Sequence, residues 1–313
     1  MADHVPANTP PTDEVRSPGM DHAHYPFRSL PDAPHFAWPD GARIALTVTL
    51  TLDYWELAPP PGNATPDPRI VSPLGKFFPD WLTWSHREYG ARVGIFRVLD
   101  VLDRFGLTPS VALGSAAAQR YPELVDELMR RNACFMAHGS HATRRITSRM
   151  TEAEERAFIV EARDAVAAAT GATPVGWCGQ DFNESAHTPA LLAEAGFAYT
   201  TDWPNDDRPY RLGPYDGRHL LALPPQPEWN DLECMWLRRV SAPVWADGIA
   251  EAFAVLHDEG GGAFNLTLHP WIAGQAHRIR YLREALQRIL GKPHVWRTTT
   301  DELARAARAQ TGG

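Results

Sequence analysis

The sequence predicts an α/β fold on a mainly parallel sheet, closed as a barrel rather than left open. Three observations carry this. Apolar β-branched runs alternate with amphipathic helical patterns from Arg43 to the end of the chain, the order that parallel strands require. About seven or eight such units fit the length, which suits a barrel. Polar residues gather where strands give way to loops, the end of a parallel barrel at which chemistry sits.

The first strand is RIALTVTLTLDYWE, an apolar β-branched run from Arg43 that ends in Asp53, Tyr54, Trp55 and Glu56. Ala58–Pro79 is a Pro- and Gly-punctuated loop, long enough to serve as a lid. YGARVGIFRVLDVLDRFG is an amphipathic helix stopping near Gly106. TPSVALG is a strand, YPELVDELMRRN a helix, and ACFMAHG a strand that runs into SHATRR. In TEAEERAFIVEARDAVAAATG, Thr151 and Glu154 form a capping box at the start of a long helix. PVGWCG is a strand, TPALLAEAG a helix closed by Gly196, and FAYTTDW and HLLALPP are strands. VWADGIAEAFAVLHDEGG is a helix, AFNLTLHP a strand, RIRYLREALQRIL a helix, and VWRTTTDELARAARA a last strand and helix.

Residues 1–35 are rich in Pro, Asp and His without apolar periodicity, and read as a flexible or wrapping arm. Residues 36–313 read as one catalytic (β/α) barrel domain. Hydrophobic content of 44% and charged content of 22% are those of a globular chain with a sizeable core. The formal net charge of −8 argues against a nucleic-acid surface. No apolar stretch is long enough to span a bilayer. MADHVPANTPPTDEV lacks the basic start and apolar segment of a secretory signal. The three cysteines are odd in number and widely spaced, which fits reduced thiols and a cytoplasmic location better than a disulfide framework.

His138 and His141 follow a strand in CFMAHGSHATRR, with Asp53 available from the first strand. Two imidazoles and a carboxylate with an open position suit zinc or another divalent metal. An i, i+3 pair also suits a metal-free catalytic site or a loop-bracing pair, and the residues alone leave these readings open. His269, in NLTLHP, is a general acid or transition-state stabiliser, or a strand-end histidine bonded to backbone. Asp53 at the end of an apolar strand is costly unless it is paired or used. Glu56 shares that strand end. Arg92 and Glu88 offer a guanidinium for an anionic or amide substrate, or an intrahelical pair at i, i+4. Asp202 ends a strand, and Trp177 and Trp271 are candidate walls of an apolar pocket or core packing. No Gly-rich phosphate motif is present.

TLDYWEL, SHREYGARVGIFRVLDVLDRFGLTPSVAL, FMAHGSHATRR, AEERAFIVEARDAVAAATGATPVGW, TPALLAEAGFAYTTDWPNDDRPY and LTLHPWIAGQAHRIRYLREAL together resemble the polysaccharide deacetylase (NodB-like, carbohydrate esterase 4) superfamily. The resemblance runs from about Trp38 to Ala304 and is nearest to the branch of allantoinases and cyclic imide hydrolases. It implies a distorted (β/α) barrel and hydrolysis of non-peptide C–N bonds. The expected reaction is ring opening of a small cyclic amide, imide or ureide, with a sugar N-deacetylase or a non-catalytic binding protein as rivals. The superfamily's deacetylases carry an Asp pair on the first strand and a metal-binding His-x-x-x-His. Here Asp53 is followed by Tyr54, His138 matches the first histidine, and Ala142 stands where the second would be. With the resemblance, Asp53, His138 and His269 take catalytic roles; the residues themselves offer Glu56, Glu88, Arg92, Trp177, Asp202 and Trp271 as substrate contacts. A divalent metal such as zinc, if one is used, would be held by Asp53, His138 and the out-of-register His141; the alternative is a metal-free site. The partners implied are a small-molecule substrate and further copies of the chain in a homo-oligomer.

Overall fold

The computed structural model describes residues 22–59 and 79–311. Its centre is β1 (Ile44–Leu52), buried along its whole length. A strand buried on both faces reads as a continuous apolar and β-branched run, which is what the sequence provides there. The chain continues through α1 (Trp81–Tyr89), whose N-terminus is capped by Asp80 accepting the Thr83 N–H at 3.0 Å. A π-helical turn over Gly90–Gly94 then leads into α2 (Ile95–Arg104). The helical stretch therefore begins at Trp81, about two turns before Tyr89, where the predicted helix starts. β2 (Ser110–Leu113), α3 (Ser115–Arg120), α4 (Pro122–Arg130) and β3 (Cys134–Ala137) follow, then α5 (Glu152–Thr170). The Thr151–Glu154 capping box at the start of α5 forms as read.

β4 (Gly176–Trp177), α6 (Thr188–Glu194) and β5 (Tyr199–Thr200) come next. A hairpin of β6 (Tyr210–Tyr215) and β7 (Arg218–Ala222) precedes α7 (Ala242–Glu259) and β8 (Gly262–Leu268). The chain ends with α8 (Pro270–Ala273), α9 (Ile279–Leu290), β9 (Val295–Arg297) and α10 (Thr300–Gln310). The strand order is β6-β7-β5-β4-β3-β2-β1-β8, with β9 beside the start of β1. Every ladder is parallel except β6–β7. Among the described residues no ladder joins β8 back to the hairpin, so the sheet curls without closing: a distorted barrel. β6 escaped the sequence reading because YRLGPY breaks the alternation of a strand with Gly213 and Pro214.

In the described part of the predicted arm, residues 22–35, His24 and Tyr25 lie on the chain's own hairpin, while His35 packs beside Gly261. His24 is buried, its Nδ1 2.7 Å from the Tyr215 hydroxyl, and its carbonyl accepts the Gly213 N–H at 2.8 Å. The remainder of the arm, and nearly all of the predicted lid, lie outside the described residues. Among the described residues no helix is long and apolar enough to cross a membrane.

Candidate active site

Parallel strands place the residues just after their C-termini on one rim. Asp53 follows β1, His138 follows β3, Cys178–Gln180 follow β4 and His269 follows β8. These side chains line one pocket with Trp55, Phe182, Leu232 and Trp271 as its apolar walls.

Two histidine–carboxylate pairs serve this pocket, one with both members on its wall and one with its carboxylate buried behind the histidine. In the first, His138 Nε2 lies 3.3 Å from Asp53 Oδ1, and its Nδ1 lies 2.5 Å from the Cys178 carbonyl oxygen. Gln180 Nε2 donates to the same Asp53 oxygen and to the His138 carbonyl, each at 2.9 Å. Among the described residues nothing hydrogen-bonds Asp53 Oδ2. Burial alone would raise the pKa of Asp53, but His138 and Gln180 outweigh it and hold it below the ordinary carboxylate value. Burial likewise opposes a charge on His138, yet the adjacent Asp53 carboxylate and then Cys178 carry its pKa well above 6.5. The pair is thus an imidazolium and a carboxylate. Desolvation would have made Asp53 a stronger base; the structure gives the opposite direction, because the counter-charge is in contact.

In the second pair, Asp231 is fully buried, and its Oδ1 lies 2.7 Å from His269 Nδ1. The carboxylate also accepts the backbone N–H groups of His269, at 2.9 and 3.0 Å, and of Ala273, at 3.2 Å. Burial opposes charging of His269, but Asp231 first and then Asp53 and Asp181 raise its pKa above 6.5. Asp231 was not anticipated. It lies in EWNDLE, outside any predicted strand, and nothing in the local pattern marks it.

The turn after β4 is strained, with Asp181 and Phe182 both in the left-handed region at φ 51° and 56°. Such residues cost on the order of 1–3 kcal/mol each and persist only where the surroundings enforce them. Here Asp202 supplies the enforcement: its Oδ1 accepts the Gly179 N–H at 2.7 Å. A Cβ on Gly179 would come within 2.8 Å of the other carboxylate oxygen, so only glycine fits. Burial, together with the Asp202 charge, pushes the neighbouring Glu184 carboxyl well up, so Glu184 holds its proton.

The other expected substrate contacts divide. Trp271 lines the pocket. Trp177 does not: it is fully buried and packs edge-on against Phe197 at 5.6 Å, as core. Asp202 is buried behind Gly179 and braces the turn instead of meeting a ligand. Glu56 is spent on Thr143 (2.5 Å) and Arg144 (2.7 Å), tying the loop after β3 to the end of β1. Arg92 is largely exposed and makes the i, i+4 pair with Glu88 at 3.7 Å. The cation next to the pocket is Arg87, buried and stacked 3.8 Å over the Trp55 ring and 5.1 Å from that of Trp271.

No family model matches the chain. Among curated proteins it is 26% identical over 246 residues to a putative polysaccharide deacetylase of Schizosaccharomyces pombe, across 70% of this chain and 74% of that one. Among solved structures it is similar to a putative polysaccharide deacetylase from Mycobacterium smegmatis, at 26% identity and TM-score 0.76 over 90% of this chain and 96% of that one. It is similar also to the Puue allantoinase, at 25% identity and TM-score 0.79 over 91% and 98% of the two chains. The chain is thus similar, in sequence and in fold, to polysaccharide deacetylases and to an allantoinase.

In this chain the expected metal set does not come together. His138 is held as a ligand histidine often is, with Nδ1 fixed by a carbonyl. However, His141 turns away, its ring 6.0 Å from that of Tyr54 and its charge environment set by Glu56 and Arg144. Gln180 meanwhile directs an N–H donor, not a lone pair, at Asp53. Among the described residues no three His, Cys, Asp or Glu side chains are grouped to hold a metal ion.

Proposed function

We infer that this chain is a hydrolase of non-peptide C–N bonds, acting on a small cyclic amide, imide or ureide. The observation that carries the reading is the pair of dyads: Asp53, His138 and His269 line the same pocket, and Asp231, buried behind His269, completes the second pair. Asp53 is the ionised group, with Oδ2 unbonded among the described residues, and His269 is the protonated group with Nδ1 already engaged.

The chemistry follows from that division. Water held on Asp53 Oδ2 attacks the carbonyl carbon and gives Asp53 its proton. His138 and Gln180 keep the carboxylate in place through Oδ1. The carbonyl oxygen gains charge near the two imidazolium groups, where fixed donors act most strongly. His269 Nε2 then protonates the leaving nitrogen, the C–N bond breaks, and the proton on Asp53 returns to His269 through solvent. Asp231 sustains the imidazolium and fixes the ring, acting through His269 rather than on the substrate.

Trp55, Phe182 and Trp271 supply flat apolar walls, which suit a small planar ring. The likeness to an allantoinase supports the same class. The likeness to deacetylases supports an acetamido sugar as the second reading. The deciding assay incubates the purified chain with succinimide, hydantoin and allantoin, and in parallel with an N-acetylglucosamine oligomer. Ring opening that disappears in Asp53→Asn is the expected result. Acetate release from the oligomer, with every ring left intact, would overturn it.

A further inference from the structure

Away from the rim that carries the two dyads, the β6–β7 hairpin, the end of α6 and α10 border an open hollow of about 880 Å³. Among the described residues its charged side chains are Arg211, Arg218 and Arg308, accompanied by His219, with no carboxylate on its wall. This is unexpected for a chain with formal net charge −8. Like charges brought together without a counter-charge repel one another.

Among the described residues none of the three guanidinium groups has a carboxylate partner. Arg218 donates to the carbonyls of Ala193 (3.3 Å) and Glu194 (3.2 Å), which orient it at the end of α6 without neutralising it. Arg308 donates to the His219 carbonyl at 2.9 Å. The Arg211 side chain has no hydrogen bond or ion pair among the described residues. His219 Nδ1 is shut off from solvent and has no hydrogen-bond partner among them.

A second hollow of about 670 Å³ shares Arg211 and His219 and adds Arg28 and Arg208. The carboxylate on its wall, Asp206, is turned inward, accepting the backbone N–H groups of Asp207 (2.7 Å) and Arg208 (3.0 Å). The two hollows form a basic trough with apolar surface from Phe197, Leu220 and Tyr210.

We propose that this trough binds a small organic anion carrying two or more negative charges, held by Arg211, Arg218 and Arg308. A guanidinium fork matches a carboxylate or phosphate through two parallel hydrogen bonds. The apolar floor receives the carbon body of the ligand, and the space exceeds what an inorganic ion fills.

The test is calorimetric titration of the full chain with pyrophosphate and with citrate at low ionic strength. Binding of at least one probe is expected, weakened roughly tenfold by Arg211→Gln and by Arg308→Gln. Added salt should weaken it further, since these side chains face solvent. Asp231→Asn should leave it unchanged, which separates the trough from the catalytic pocket. Preference for pyrophosphate identifies a phosphate-bearing ligand, and preference for citrate a polycarboxylate. The proposal fails if neither probe binds, or if both bind the two arginine variants as well as the original chain. It also fails if sedimentation shows a dimer that Arg211→Gln dissociates, because the trough would then be a surface between copies. Circular dichroism of the two variants, each altered near the surface, checks that they are folded.

Discussion

Asp231 touches His269 three times over, through Nδ1, through the backbone N–H and, by way of Ala273, through the turn that follows it. One buried carboxylate therefore fixes the ring, its tautomer and its charge. Replacing it by asparagine keeps the shape but removes the charge that lifts the His269 pKa. Asp231→Asn should lower kcat by about two to four orders of magnitude, as loss of an orienting carboxylate does in other dyads. KM should change little, since Asp231 is behind the imidazole and out of substrate reach. Steady-state kinetics on the active substrate measures both; an unchanged kcat would remove His269–Asp231 from the mechanism.

The two pKa directions fix the pH profile. Asp53 works ionised, and its pKa is held below 3.8, so activity is lost only as pH falls through that lowered value. His269 works protonated, and its pKa is raised above 6.5, so activity persists past that pH and is lost as pH rises further. The raised pKa of His138 gives a contribution to stability fully present below pH 6.5 that is lost as pH rises through the higher folded value. In Asp231→Asn the alkaline limb of kcat/KM should move to lower pH, which a purely structural role would not produce.

Because His141 faces Tyr54 and Gln180 donates to Asp53, chelation should leave activity intact. His141→Ala should act nearly as the original chain does, and His138→Ala should be inactive. Elemental analysis of the purified protein, with activity after EDTA dialysis, measures this. Near-stoichiometric zinc lost in both variants would restore the Asp53/His138/His141 set.

Much of the rim was legible because parallel strands expose their C-terminal neighbours in a predictable place. Asp53, His138 and His269 each follow an apolar run that can only be a buried strand. What stayed hidden depended on distances between segments far apart in the chain. Asp231 reaches His269 across 38 positions, and Arg87 reaches the pocket by stacking on Trp55. Glu88 and Arg92 drew attention because their spacing is visible, yet that spacing fulfils itself within the helix. Trp177 and Asp202 shared the signature of site residues, a bulky or charged group at a strand end, but β4 and β5 turn them inward.

The glycines of YGARVG make the sharpest test of how the site is supported. A Cβ on Gly94 would lie 2.0 Å from the Pro270 carbonyl oxygen, and one on Gly90 would lie 2.7 Å from the Trp271 nitrogen. The π-helical turn thus presses directly on the backbone that follows His269. Two effects oppose each other in Gly94→Ala. Alanine favours a helix over glycine by about 1 kcal/mol. The clash meets backbone that cannot rotate away, and overpacking of this kind costs on the order of 1–3 kcal/mol or more. The clash should win, lowering Tm and shifting Pro270 together with His269. Thermal unfolding gives the first effect and kcat the second. If Gly94→Ala is as stable as the original chain, the close approach of this helix to α8 is wrong, and the placement of His269 with it.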